Sequence, residues 1–174
     1  MAVRQQHVLV VLVQNRPGVL ARVSGLFRRR GFNIDSLAVG RTDDPDVSRM
    51  TIVVDGATTA VEQVVKQLYK VIEVLKISEL GDDPSILTEL ALIKISATAP
   101  TRSEIIQLTD IYRGKVVDIA QDSLIVELTG TEDKIEAYLR LVRPFGVKEM
   151  VRTGTIGMIR GSLFHRVETL ERAG

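Results

Sequence analysis

HVLVVLVQNRPGVLARVSGLFRRRG, His7 to Gly31, places two different periodicities back to back. His7 to Gln14 is a Val/Leu run, β-branched and too short for a typical helix, which predicts a buried strand. Asn15-Arg16-Pro17-Gly18 breaks it. Val19, Leu20, Val23, Leu26 and Phe27 then recur at i, i+1, i+4, i+7 and i+8, the apolar stripe of a helix. Pro17 suits a first helical turn, where a missing N–H costs little. Gly31 is a natural C-terminal cap. Arg28, Arg29 and Arg30 fall in the last turn, where cations complement the helix dipole.

Working outward, Phe32 to Arg41 and Val47 to Asp55 read as two strands. The turn chemistry of Thr42-Asp43-Asp44-Pro45-Asp46 makes them a hairpin. Thr59-Ala60-Val61-Glu62 is a capping box that opens a second helix with Val61, Val64, Val65 and Leu68 on one face. Val71 to Ser78 is a last strand, so the order is β-α-β-β-α-β. The second half repeats it. Leu90 to Ala97 is a strand with Leu90, Leu92 and Ile95 inward. Thr101-Arg102-Ser103-Glu104 is a capping box for a helix carrying Ile105, Leu108, Ile111 and Tyr112. Lys115 to Ala120 and Ser123 to Thr129 are strands around Gln121-Asp122. A helix with Ile135, Tyr138, Leu139 and Val142 stops before Pro144, and Val147 to Thr153 closes the pattern.

The expected fold is therefore α+β: tandem ferredoxin-like βαββαβ domains, each an antiparallel sheet with both helices on one face. The first domain spans 6–80, a linker 81–87 holds Gly81-Asp82-Asp83-Pro84, the second domain spans 88–161, and 162–174 is a tail. Both faces of His7–Gln14 are apolar, which predicts a covered second face or a paired sheet. In the tail, Leu163, Phe164, Val167 and Leu170 have helix-like spacing, either a docking helix or a frayed end.

The chain has 174 residues, 45% hydrophobic, with no Cys or Trp and with 23 basic against 22 acidic side chains. The balanced charge advertises neither nucleic acid nor an anionic membrane. The absence of cysteine excludes disulfides, thiolate nucleophiles and Cys-bound metals, and fits a cytoplasmic protein. Met1 to His7 is no signal peptide, and no apolar run approaches membrane-spanning length.

Catalytic constellations are missing. His7 and His165 lie near opposite ends of the chain and read as packing or surface residues. Asp43, Asp44 and Asp46 read as a hairpin turn rather than a cation loop. GxSxG, P-loop and GxGxxG patterns are absent, so neither catalytic nor metal-ligating residues are expected. Arg28-Arg29-Arg30 reads as a helix end, since RNA-binding ferredoxin-like sheets carry exposed aromatics that are absent here.

The turn Gln14 to Leu20 is different. It joins an amide, a glycine and a helix N-terminus, whose N–H groups attract a carboxylate. Gly18 admits close approach to the backbone, Asn15 offers donor and acceptor, and Val19 and Leu20 offer an apolar wall. Such a site suits an α-amino acid with an aliphatic side chain; simple capping by Asn15 is the alternative. Asn33 stands at the start of a strand, where Asn is disfavoured, and a cap or a ligand would justify it.

Asn15–Leu20 and Gly31–Ile34 resemble the amino-acid-binding signature of ACT domains. The resemblance extends from about His7 to Arg160. Gly25-Leu26-Phe27, Arg30 to Leu37, Thr42-Asp43-Asp44-Pro45, Ser48 to Ile52, Ser78-Glu79-Leu80, Glu89 to Lys94, Tyr112 to Asp118 and Leu128-Thr129-Gly130 together look like the small, regulatory subunit of acetolactate synthase (acetohydroxyacid synthase). The resemblance implies an N-terminal ACT domain and an ACT-like second domain. It implies a homodimer through the ACT domain, with valine between protomers: Asn15, Pro17, Gly18, Val19 and Leu20 from one chain, Asn33 and Ile34 from the other. It implies a role in branched-chain amino acid biosynthesis, activating a large catalytic subunit and conferring feedback inhibition by valine. Thiamine diphosphate, Mg²⁺ and FAD are expected in that partner and none in this chain. The alternative is a free-standing ACT-domain sensor acting on transcription or on another enzyme.

Overall fold

A computed structural model describes residues 6–81 and 84–161, with backbone alone at 58 and 59. It divides into two compact units, the described residues up to Ile86 together with 157–161, and Leu87–Ile156. The expected docking or frayed segment 163–170, and His165 within it, lie outside the described residues.

The first unit runs β1 (Gln6–Gln14), α1 (Val19–Arg29), β2 (Ile34–Arg41), β3 (Val47–Asp55), α2 (Thr58–Leu68) and β4 (Val74–Glu79). Its sheet has the order β2-β3-β1-β4, antiparallel throughout. Alternate residues of the central strands, Leu9, Val11 and Val13 with Met50, Ile52 and Val54, pack against Val19, Val23, Leu26 and Phe27 of α1 and Val61, Val64 and Leu68 of α2. The intervening residues Val8, Val10, Leu12, Thr51 and Val53 are buried as well. Both faces of β1 are thus covered, as its unbroken apolar run predicts. On this second face the Arg49 guanidinium donates to the carbonyl of Gly157 at 2.5 Å, and burial lowers its pKa.

The second repeat runs β5 (Ser85–Ser96), α3 (Ala99–Ile111), β6 (Lys115–Ile119), β7 (Ser123–Gly130), α4 (Glu132–Val142) and β8 (Val147–Arg152), in the sheet order β6-β7-β5-β8. The repeat of β-α-β-β-α-β is complete. A further strand, β9 (Ile156–Ile159), pairs with β5; the sequence reading has no counterpart for it.

Five local expectations are corrected. β5 begins at Ser85, so the last three residues of the expected linker are strand. The inward set on β5 is Ala91, Ile93 and Ile95, while Leu92 is 39% exposed. Strict alternation allows only one of these sets to face the helices, and the small Ala91 concealed the phase. The capping box of α3 is Thr98 with Thr101, not Thr101 with Glu104, and Pro100 occupies its first turn. Ile111, at the helix end, is 73% exposed. Finally, α2 begins at Thr58 with Ala57 as N-cap, ahead of the expected box.

Polar contacts lock the second core. Tyr138, fully buried on α4, donates its hydroxyl to Thr109 Oγ1 at 2.8 Å, and Thr109 donates onward to the Ile105 carbonyl at 2.7 Å. Tyr112 packs edge-on against the Tyr138 ring. Glu89, 4% exposed, pairs with Arg152, which also meets Glu136 at 2.9 Å. Burial opposes the charge on Arg152, yet Glu89, backed by Glu132 and Glu136, holds its pKa above the ordinary value.

Two expected outcomes follow from these contacts. Replacing Arg152 by Met strands a buried carboxylate and destabilises the second unit by about 3–5 kcal/mol, read by urea unfolding, whereas replacing Glu89 and Arg152 together by apolar residues costs much less. Burial raises the Tyr138 pKa above 10.0, and the Thr109 hydrogen bond only partly offsets it. A raised folded-state pKa contributes stability that is complete below the unfolded pKa and is lost as pH rises through the folded pKa. Alkaline absorbance titration of the wild type against Tyr138→Phe should therefore assign to Tyr138 a component above the ordinary phenol range. A Tyr138 component within the ordinary phenol range would contradict this.

Candidate functional site

The expected ligand turn sits where β1 passes into α1. Gln14 donates its backbone N–H to the Glu73 carbonyl at 2.8 Å, and Asn15 donates its own to Asp46 at 2.7 Å. The Asn15 side-chain amide donates to the Pro45 carbonyl at 2.9 Å. The residue therefore ties the turn to the β2–β3 hairpin and does not cap the helix. Gly18 is the N-cap, in the left-handed region at φ 85°, with no side chain capping the amides that follow. Such a φ strains any residue bearing a Cβ, which accounts for glycine here. Pro17 lies outside the helix, in the turn, rather than in its first turn as expected, so its missing N–H removes none of the helix's amides. Val19 is buried in the core, whereas Leu20 is 43% exposed.

Asn15, Pro17, Gly18, Val19 and Leu20 are thus together. Asn33 and Ile34 are not with them. Ile34 lies opposite Val54 on β3, whereas Gln14 at the end of β1 lies opposite Val47. Seven residues of strand separate those levels, about 23 Å at 3.3 Å per residue. One end of the sheet carries the glycine turn and the start of α1; the other carries Asn33 and Ile34. Asn33 is exposed, precedes the strand, and donates to Asp35 Oδ1 at 2.9 Å. It is neither a buried strand residue nor a helix cap, so the strand-propensity anomaly dissolves. An open groove of about 490 Å³ runs beside it, lined by Ser24, Phe27, Arg28, Gly31, Phe32, Asn33 and Ile34.

Two further contacts went unread in the sequence. Arg22 pairs with the largely buried Glu73, joining α1 to the loop before β4. The hairpin carbonyls that hold Asn15 come from Pro45 and Asp46, thirty residues away. Neither leaves a signal in spacing, because both depend on tertiary contact.

The other candidates resolve simply. In the acidic turn Asp44 Oδ1 accepts from Asp46 N–H at 2.9 Å and Thr42 Oγ1 accepts from Asp44 N–H at 3.2 Å, which is hairpin chemistry. His7 is buried, with Nδ1 2.5 Å from Glu79 Oε1. Among the described residues, no three His, Cys, Asp or Glu side chains gather to share a metal ion, and no helix is long and apolar enough to cross a membrane.

Comparison with known proteins covers both units. Residues 9–76 match the AHAS small subunit-like ACT domain, and residues 88–161 match the family described as small subunit of acetolactate synthase. A probable acetolactate synthase small subunit of Archaeoglobus fulgidus is 54% identical over 157 residues, 90% of this chain and 98% of that protein. The acetolactate synthase small subunit of Mycolicibacterium smegmatis is 53% identical over 155 residues, 89% of this chain and 91% of its own length. The crystal structure of the acetolactate synthase small subunit from Thermotoga maritima aligns with a TM-score of 0.84 at 40% identity, covering 91% of this chain and 99% of that one. The chain belongs to the acetolactate synthase small subunit family.

Proposed function

We propose that this chain is the non-catalytic regulatory subunit of an acetolactate synthase, binding a large catalytic subunit, raising its activity and making it sensitive to valine. The observation that carries the reading is the split of the ligand signature between opposite ends of one sheet. A single chain cannot close Asn15–Leu20 onto Asn33–Ile34, because the β1–β3–β2 register holds them apart. A second copy can. β2 is an edge strand, and two such edges paired antiparallel bring the beginning of one β2 level with the end of the other. Each sheet then sets its Asn33 end beside its partner's glycine turn, and two equivalent sites arise at the interface.

In that arrangement the amides opening α1 receive the α-carboxylate, the Asn15 and Asn33 side chains supply polar partners, and Leu20 and Ile34 contact the aliphatic side chain. The condensation chemistry, with its thiamine diphosphate, Mg²⁺ and FAD, belongs to the large subunit. Valine acts by linkage: it favours one arrangement of the dimer over another and shifts the catalytic subunit by that difference, about 1–3 kcal/mol for a typical coupling. A free-standing sensor is disfavoured by the match of residues 88–161 to the small-subunit family.

Isothermal titration of the full chain with valine, against leucine and alanine, tests the effector. Saturable valine binding is expected, weakened about tenfold or more in Asn15→Ala and Asn33→Ala, since each removes a hydrogen bond to a charged ligand. With the large subunit added, the concentration of valine giving half-inhibition should rise in the same variants, with far smaller changes in activation. Equal loss of activation and inhibition would show the residues misassigned. A Cβ at Gly18 meets nothing within 4 Å. Gly18→Asp should therefore act through its charge and abolish the valine response, while Gly18→Asn, which tolerates the left-handed region, should be milder. Identical behaviour of the two would remove the helix start from the site.

A further inference from the structure

Arg28 shares the groove beside Asn33 and Ile34, and among the described residues it is the only charged side chain lining it. Its residue is exposed, and its guanidinium makes no hydrogen bond or ion pair among the described residues. Its neighbours Arg29 and Arg30 do not line the groove. Leu20, Ser24 and Arg28 are spaced i, i+4, i+8, so they form one stripe on α1, distinct from the buried stripe of Val19, Val23, Leu26 and Phe27. Because Ser24, Phe27 and Arg28 share the groove with Gly31 to Ile34, this stripe flanks the beginning of β2, the edge strand.

The two-fold operation that pairs two β2 edges acts on α1 as well. With the two edges paired along their full length, its axis passes near the midpoint of β2, between Leu37 and Ala38. The helices α1 of the two copies then run antiparallel, each with Ser24 at its middle. In that register Arg28 of one copy comes level with the partner's Leu20, two residues inside the partner's Gly18. Packed helices lie about 8–10 Å apart, a span that an arginine side chain reaches across.

We propose that Arg28 is the anion clamp of the effector site in the neighbouring protomer: its guanidinium takes the α-carboxylate of the amino acid seated at the partner's helix start. The inference rests on the effector reading above and adds a third residue supplied from the second chain. The fork of guanidinium N–H groups matches a carboxylate in two parallel hydrogen bonds. In the empty dimer the same charge faces the positive end of a helix, an unfavourable pairing. A carboxylate between them turns repulsion into a bridge. The amino acid therefore also tightens the dimer, since a ligand that binds the associated form better must favour association.

The test uses the full-length chain as wild type, Arg28→Met and Arg28→Lys. Each is titrated calorimetrically with valine and with valinamide, which lacks the carboxylate, and sedimented with and without valine. The expected result is valine affinity weakened about tenfold or more in Arg28→Met, intermediate in Arg28→Lys, with valinamide affinity unchanged. Without ligand, the Arg28→Met dimer should be at least as tight as wild type, and valine should tighten it less. Arg28→Met binding valine like wild type overturns the clamp while leaving the effector site intact. Equal weakening of valine and valinamide, or a looser empty dimer, shows a structural role and overturns it too. A wild-type chain that binds no valine fails at the earlier step and sinks the effector site along with the clamp.

Discussion

The register of β2, β3 and β1 is the constraint on which the rest of this molecule depends. Strand β1 is hydrogen-bonded on both sides and buried on both faces, so it cannot slide without turning its core residues outward. β3 is held to it residue for residue from Gln6–Asp55 to Gln14–Val47. β2 is held to β3 in turn, with one irregularity between Ile34 and Ser36. The glycine turn and the Asn33 segment therefore occupy opposite ends of a rigid plate. Their separation is a property of the core, not of the loops.

Two kinds of contact then shape the ends of the plate. At one end, Asn15 is fastened to the β2–β3 hairpin through the Pro45 and Asp46 carbonyls, and Gln14 to Glu73. The left-handed Gly18 turns the chain into α1 with its first amides uncapped by any side chain. At the other end, among the described residues, the Asn33 side chain donates to its near neighbour Asp35, and the groove beside it is open.

Periodicity carried most of the architecture, for a physical reason. Helix stripes such as Ile135, Tyr138, Leu139 and Val142 were legible because burial selects residue type at each position, and all four are buried. The phase of β5 was not legible, because Leu90 and Leu92 are as apolar as Ile93 and Ile95, and sequence does not record which face meets the helices. β9 was missed because four residues, Ile156 to Ile159, carry too little pattern to separate a strand from a trailing end. In the candidate site, Gly18 was legible through its backbone freedom and Asn15 through its chemistry. The partner of Asn15 was not, since carbonyl acceptors are common to all residues. Only the strand-propensity argument for Asn33 lapsed, because β2 begins at Ile34, one residue beyond it.

The return of residues 157–159 to the first unit bears on how the chain is made. Arg49 finds its carbonyl acceptor in Gly157, 108 positions further along. Emerging from a ribosome, β1 must wait for β3 and then for β4 before its edges are satisfied, and the Arg49 contact waits until nearly the whole described chain is out. The second repeat, Leu87 to Ile156, is synthesised in that interval and its core draws on its own strands and helices. The first unit is begun first, yet Arg49 goes without its Gly157 acceptor until the whole second repeat has been synthesised.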